Sequence, residues 1–204
     1  MTQTATLTEL FKRTFSEMMK DVATSIPGHV LAFDPTTQRA QIQIGIVRID
    51  VNGKTFVPPP LIEVPVYFAG GKFCVEHQID PNDEGFIMFS QRCIDAWNTT
   101  GGVAENPILR FHDYGDAVFF PGLRSEPNQL TAFENNGIRL RDKNATNYVW
   151  LKNDGTVDIK CQGFDVKAPT FTHNGVNVGD DHKHAAGTYQ AGGDPVINSS
   201  GDPS

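Results

Sequence analysis

The sequence predicts an all-β protein: a small N-terminal barrel with a short helix in front of it, then a shaft that several copies of the chain build together. Three observations lead there. Between Ser25 and Arg124, five or more apolar stretches of strand length follow one another at short spacing, and closing them into a barrel hides their edges. Beyond Arg124 the stretches shorten and become one-sided, with apolar residues at alternate positions and Asp, Lys, Arg or Gln between them. The chain also carries 19 Gly, 13 Pro and 14 Phe in 204 residues, a composition suited to many turns between strands.

Charge narrows the function. Acidic residues outnumber basic ones 24 to 17, for a net charge of -7, which disfavours nucleic-acid backbones and anionic lipid as electrostatic partners. No run of about 18 apolar residues exists to span a membrane. The start, Met1-Thr2-Gln3-Thr4, lacks the basic-then-apolar order of a signal peptide. Cys74, Cys93 and Cys161 are widely spaced and odd in number, and are expected to be reduced core residues of a protein made in a cytosol.

Thr6 and Glu9 have capping-box spacing, and Leu7, Leu10, Phe11, Phe15, Met18, Met19 and Val22 recur at helical intervals. They predict a helix from Thr6 to about Val22, expected to pack on its own domain; docking on a neighbouring chain is the alternative. Strands follow. Val30 to Phe33 ends in the turn Asp34-Pro35, and Ala40, Ile42, Ile44 and Ile46 alternate with polar or small residues. Asn52-Gly53 marks a tight hairpin. Leu61 to Phe68, Phe73 to Val75, Gly85 to Phe89 and Ala117 to Phe120 complete the set. Asp80, Asn82 and Glu84 imitate the start of a calcium loop, but the twelfth position is Gln91 where a bidentate Glu is needed; a hairpin turn is the expectation. His112, Asp113 and Asp116 read as polar turn residues before a buried strand. No nucleophile elbow, zinc-protease helix or phosphate-cradling glycine loop is present, so no enzyme is predicted.

The run from Gly85 to Arg92, then Ile94-Asp95-Ala96-Trp97, then His112 to Leu123, resembles the N-terminal domain of the central membrane-piercing spikes of contractile-tailed bacteriophages, the baseplate protein V-like family. The resemblance implies an oligonucleotide/oligosaccharide-binding (OB) fold in a homotrimer, serving as a collar that joins the spike to the tail hub and baseplate. Fold alone does not imply ligand binding.

Past the collar, Ile138 and Leu140, Val149 and Leu151, Val157, Ile159 and Cys161, and Phe164, Val166 and Ala168 each alternate with polar residues, and Asn153-Asp154-Gly155 is a turn. About 50 residues of such strands cannot enclose a core alone. Three copies wrapped into a prism would turn every apolar face inward. The resemblance implies the same object, an intertwined β-helix needle.

The needle leads to Asp181-His182-Lys183-His184. On extended backbone His182 and His184 point to the same side, and a threefold axis would gather six imidazoles. Six neutral nitrogen ligands favour octahedral iron, nickel or cobalt over tetrahedral zinc; the resemblance implies one iron ion per trimer. His173 lies outside the pair and is read as shaft, not ligand. Ala185 to Ser204 is rich in Gly, Ala, Ser, Asp and Pro, and the resemblance implies that it folds back around the apex.

The expected organisation is therefore a helix at 1–24, an OB-fold collar at 25–125, a trimeric β-helix shaft at 126–180 and a metal-binding apex at 181–204. The expected function is mechanical: a virion protein at the tail tip that breaches the host outer membrane during contraction. Two alternatives stand beside it. One is the puncturing tip of a phage-derived contractile secretion device. The other is a receptor-binding or glycan-cleaving tail spike using Trp97 and Trp150, both of which are expected to pack internally.

Overall fold

The computed structural model describes residues 6–50, 52–106 and 108–179. The chain divides into two compact units, Met1–Gln129 and Leu130–Ser204.

The first unit opens with helix α1, Leu7–Lys20. Thr6 caps it: the Glu9 N–H donates to the Thr6 hydroxyl oxygen at 3.3 Å, and the Thr6 N–H donates to the Glu9 carboxylate at 2.7 Å. No residue of α1 is buried, so the expectation that it packs on its own domain is corrected. The segment after it is anchored at its far end. The Ala23 N–H donates to the His112 carbonyl at 3.1 Å, and the Phe89 N–H donates to the Thr24 carbonyl at 2.9 Å.

Strands β1 (Ser25–Asp34), β2 (Arg39–Ile44), β3 (Arg48–Ile49), β4 (Thr55–Phe56), β5 (Leu61–Pro65) and β6 (Glu84–Phe89) follow, then helix α2 (Asp95–Thr100) and strand β7 (Ala117–Pro121). Five of the strands form one antiparallel sheet in the order β5-β2-β1-β6-β7. A register shift between Val30 and Ala32 places a bulge in β1, which bends the strand and sharpens its twist. The sheet curls until its edges meet at one parallel bridge, Val66 to Phe119, with the Tyr67 N–H on the Phe119 carbonyl at 2.9 Å. Strands β3 and β4 form a separate hairpin around Gly53, at φ +78°.

The interior is the inward face of that curl. Val30, Ile42, Ile87 and Phe119 are fully enclosed, joined by Ile44, Val64 and Phe89. Complete burial of such side chains stabilises by about 1.5–3 kcal/mol each. Gly28 and Gly85 face each other across β1 and β6. A Cβ on Gly28 would meet the Ile87 side chain at 2.7 Å, and one on Gly85 would strike the Phe119 ring. Two glycines in register thus leave the centre of the curled sheet to Ile87 and Phe119.

The second unit holds β8 (Gly137–Arg141), β9 (Tyr148–Lys152) and β10 (Val157–Lys160) in a three-stranded antiparallel sheet, then the hairpin β11 (Thr172–His173) and β12 (Val176–Asn177). Ile138 faces Leu151 and Leu140 faces Val149; Val157 and Ile159 continue the same two rows. All six side chains share one face of the sheet.

Several sequence expectations are corrected. Phe73 to Val75 is no strand; one isolated bridge, Gly70 to Cys74, is formed there and Phe73 is exposed. Phe164 to Ala168 is irregular. No cysteine is a core residue: all three are free, Cys74 and Cys161 are exposed, and Cys93 is half-buried. Trp97 is 51% exposed on α2, because its helix lies outside the curled sheet. Each miss has one cause: an apolar residue in a loop-rich chain reads as buried, although its neighbours supply no second layer to bury it.

Candidate functional site

Among the described residues, Cys93, Asp95 and Asp116 bring three possible metal-ligand atoms within 4.8 Å of one another. The place already holds a cation. Arg110 donates to both carboxylate oxygens of Asp116 at 2.7 Å, to Asp95 at 3.1 Å and to the Cys93 sulfur at 3.3 Å. Asp116 is 0% exposed and also accepts from the Ile94 N–H at 3.0 Å. The guanidinium holds the Asp116 carboxyl well below the usual carboxylate range, and Asp116 in turn raises the affinity of Arg110 for its proton. An Asp95 backbone hydrogen bond favours the Cys93 thiolate, yet burial and the carboxylates outweigh it and push the thiol up. That is the opposite of a nucleophile. The arrangement is a clasp that fixes the loop carrying α2 against β7. Sequence reading placed Asp116 in a polar turn and missed its partner, Arg110; the only signal was an Arg six residues upstream.

The calcium-like loop is likewise occupied by protein donors. Asp80 accepts from the Gln78 amide at 2.8 Å, Asp83 accepts from the Asp80 N–H at 2.9 Å, and Glu84 belongs to β6. Glu84 binds the chain where it leaves the curled sheet after β7. Its carboxylate accepts from the Ser125 N–H at 2.6 Å, the Ser125 hydroxyl at 2.7 Å and the Asn128 amide at 2.7 Å. These bonds, the Ser125 N–H first, hold its pKa below the ordinary value.

The surfaces that stand open are apolar. On α1, Leu7, Leu10, Phe11, Phe15, Met18 and Met19 are all exposed. On the β8–β10 sheet, Ile138 is 70% and Leu140 64% exposed, and Val149, Leu151, Val157 and Ile159 are exposed with them. The opposite face of that sheet is the better covered one. The Arg139 guanidinium lies 4.1 Å from the Tyr148 ring centre and 5.0 Å from that of Trp150, Lys152 lies 4.8 Å from Trp150, and Lys152 pairs with Asp158 at 3.2 Å. Arg141 donates to the carbonyls of Thr131, Ala132 and Lys143. Polar residues are thus tied down on one side while six aliphatic side chains face outward on the other. That is the reverse of a finished monomer.

Trp97 lines a shallow cleft of about 310 Å³ with Arg39, Pro65, Val66 and Asn98, and no carboxylate lines it. Trp150 lies beneath Arg139 and Lys152. The cleft at Trp97 therefore offers no carboxylate pair of the kind glycan cleavage uses. His173 sits in the exposed β11–β12 hairpin. His182 and His184 lie outside the described residues. No described helix is long and apolar enough to cross a membrane.

No curated protein matches the chain. The curled sheet itself is matched: residues 26–122, running from β1 to just past β7, fit the family model of the phage protein Gp138 N-terminal domain, a phage family of the baseplate and spike type.

Proposed function

We propose that this chain is the central spike at the tip of a contractile phage tail, a homotrimer that pierces the host outer membrane mechanically. The observation that carries the reading is the bare aliphatic face of the β8–β10 sheet on a chain whose first unit matches a Gp138-type domain. Three such faces turned toward a common axis would bury one another and form the base of an intertwined β-helix needle. The first unit, read as an OB-fold collar, would sit on the tail hub with the baseplate proteins around it. Contraction supplies the work. The spike performs no chemical step, and its polar outer surface lets it leave lipid once through.

The apex is proposed to be closed by metal. His182 and His184 of three chains offer six neutral imidazole nitrogens, a donor set suited to octahedral iron. One ion would cross-link three chain ends and stabilise the folded trimer.

Native mass spectrometry of the purified protein, beside the His182→Ala/His184→Ala double variant, tests both statements. The expected result is a trimer carrying one iron mass, with the metal absent from the variant. A metal-free trimer would remove the apex assignment and leave the spike. A monomer at micromolar concentration would overturn the spike.

A further inference from the structure

Two features of the first unit are incomplete, and they are complementary. The first is α1, whose apolar residues cover half its circumference. At 100° per residue, Leu10, Leu7, Met18, Phe11, Phe15 and Met19 fan out in that order. An isolated helix of 14 residues is marginal in water, so this face needs a cover. The arc is too wide for the two-position seam of a coiled coil, and Thr14 interrupts the seam that Leu7, Phe11 and Met18 would form. Such an arc suits a groove better than another helix.

The second feature is a cleft of about 790 Å³ at the far end of β1, lined by Phe33, Phe68, His77 and Ile79, with Cys74 and Glu76 among its other walls. The rings of Phe33 and Phe68 are 6.3 Å apart and those of Phe68 and His77 are 5.1 Å apart, giving a continuous aromatic wall. Charge matches as well. The helix carries Lys12, Arg13 and Lys20 against Glu9 and Glu17. The cleft is lined by Glu76 and by no Lys or Arg.

The helix does not fill the cleft of its own chain: no residue of α1 is buried and none lines the cleft. Its base is held beside the start of β1 by the Ala23 and Thr24 backbone bonds, whereas Phe33 lies eight residues further on, about 26 Å of strand away at ~3.3 Å per residue. Phe15, on the apolar face, stands seven residues above Val22, about 10 Å along the helix, well short of its own chain's Phe33.

We propose that α1 of one copy seats its apolar face in the Phe33–Phe68–His77 cleft of a neighbouring copy, so that each collar clasps the next around the threefold axis. The contact is heterologous, and a threefold rotation closes it into a ring. This rests on the trimer proposed above, which also raises the effective concentration of each helix near its neighbour's cleft.

Cys74, exposed in the cleft, provides the test. The full chain with Phe15→Cys and Cys161→Ser is oxidised mildly and run without reductant, beside native mass spectrometry. The expected result is a covalent trimer whose linked peptides join position 15 of one chain to Cys74 of another. The link should vanish on adding Cys74→Ser, and should not form when the new thiol is placed on the polar face by Ser16→Cys. If Phe15→Cys itself prevents trimerisation, Met18→Cys repeats the test from the same face. An intact trimer in which position 15 links to position 15, to its own chain's Cys74, or to nothing would overturn the clasp and leave the spike standing. A wild-type chain that is monomeric would overturn both.

Discussion

Asp116 is the one charged side chain fully enclosed among the described residues. Removing either partner of a buried charge pair strands the other, at a cost of about 3–5 kcal/mol. Asp116→Ala should therefore lower the thermal midpoint of the first unit severely, and Arg110→Met combined with Asp116→Leu should recover part of the loss; calorimetry of the two variants checks this. Glu84 carries a pH prediction. Its folded pKa is depressed by the Ser125 N–H, the Ser125 hydroxyl and Asn128. Its contribution is thus present above the unfolded carboxyl's value of about 4.3 and is lost as pH falls through the folded one. The protection factor of the Ser125 amide should fall in that acid window in the wild type, whereas Glu84→Gln should show no such step. Neither residue's role was legible in the sequence. Both depend on partners, Arg110 across a loop and Ser125 41 residues away, that only the folded chain brings together. His182 and His184 are the converse: a motif plain in the sequence whose test lies in metal analysis.

Among the elements, those with a strict period were legible. The capping box, the alternation of β2, the Gly85 to Phe89 and Ala117 to Phe120 strands and the Asn-Gly and Asp-Gly turns all recur in the fold, because each is set by neighbours in sequence. Packing partners were less legible, since periodicity says which face is apolar and not what covers it; α1 is the clearest case. Gly85 illustrates a limit of the same kind. Sequence marks it as the start of a strand, while the structure places the Phe119 ring where its side chain would be. Gly85→Ala should cost about 1–3 kcal/mol through forced repacking, read as a lowered urea midpoint with an unchanged slope. In the second unit, Leu140→Lys places a charge on the bare face beside Val149. It should abolish the proposed trimer while leaving the first unit folded, and sedimentation with near-UV circular dichroism separates those two effects.

At the scale of the whole molecule, stability and assembly become one quantity. If the second unit buries its aliphatic face only against other copies, its unfolding temperature must rise with protein concentration, while that of the first unit changes far less. Two calorimetric transitions are expected, and dilution should lower the one that belongs to the second unit by more than the other. The way the chain leaves the barrel bears on how such an assembly would carry force. Strands β6 and β7 are antiparallel, so the start of β6 and the end of β7 lie at the same edge, and Gly85 opposes Pro121 there. Glu84 grips Ser125 and Asn128 at that edge, and the Gly122 N–H donates to the Glu84 carbonyl at 3.0 Å. A pull arriving along the polypeptide from residue 129 therefore enters two strands at once. Without the carboxylate, the same pull would peel β7 from its ladder one hydrogen bond at a time. With it, the side-chain bonds must break before peeling begins, so a single glutamate changes the barrel's exit from a zipper into a shared anchor.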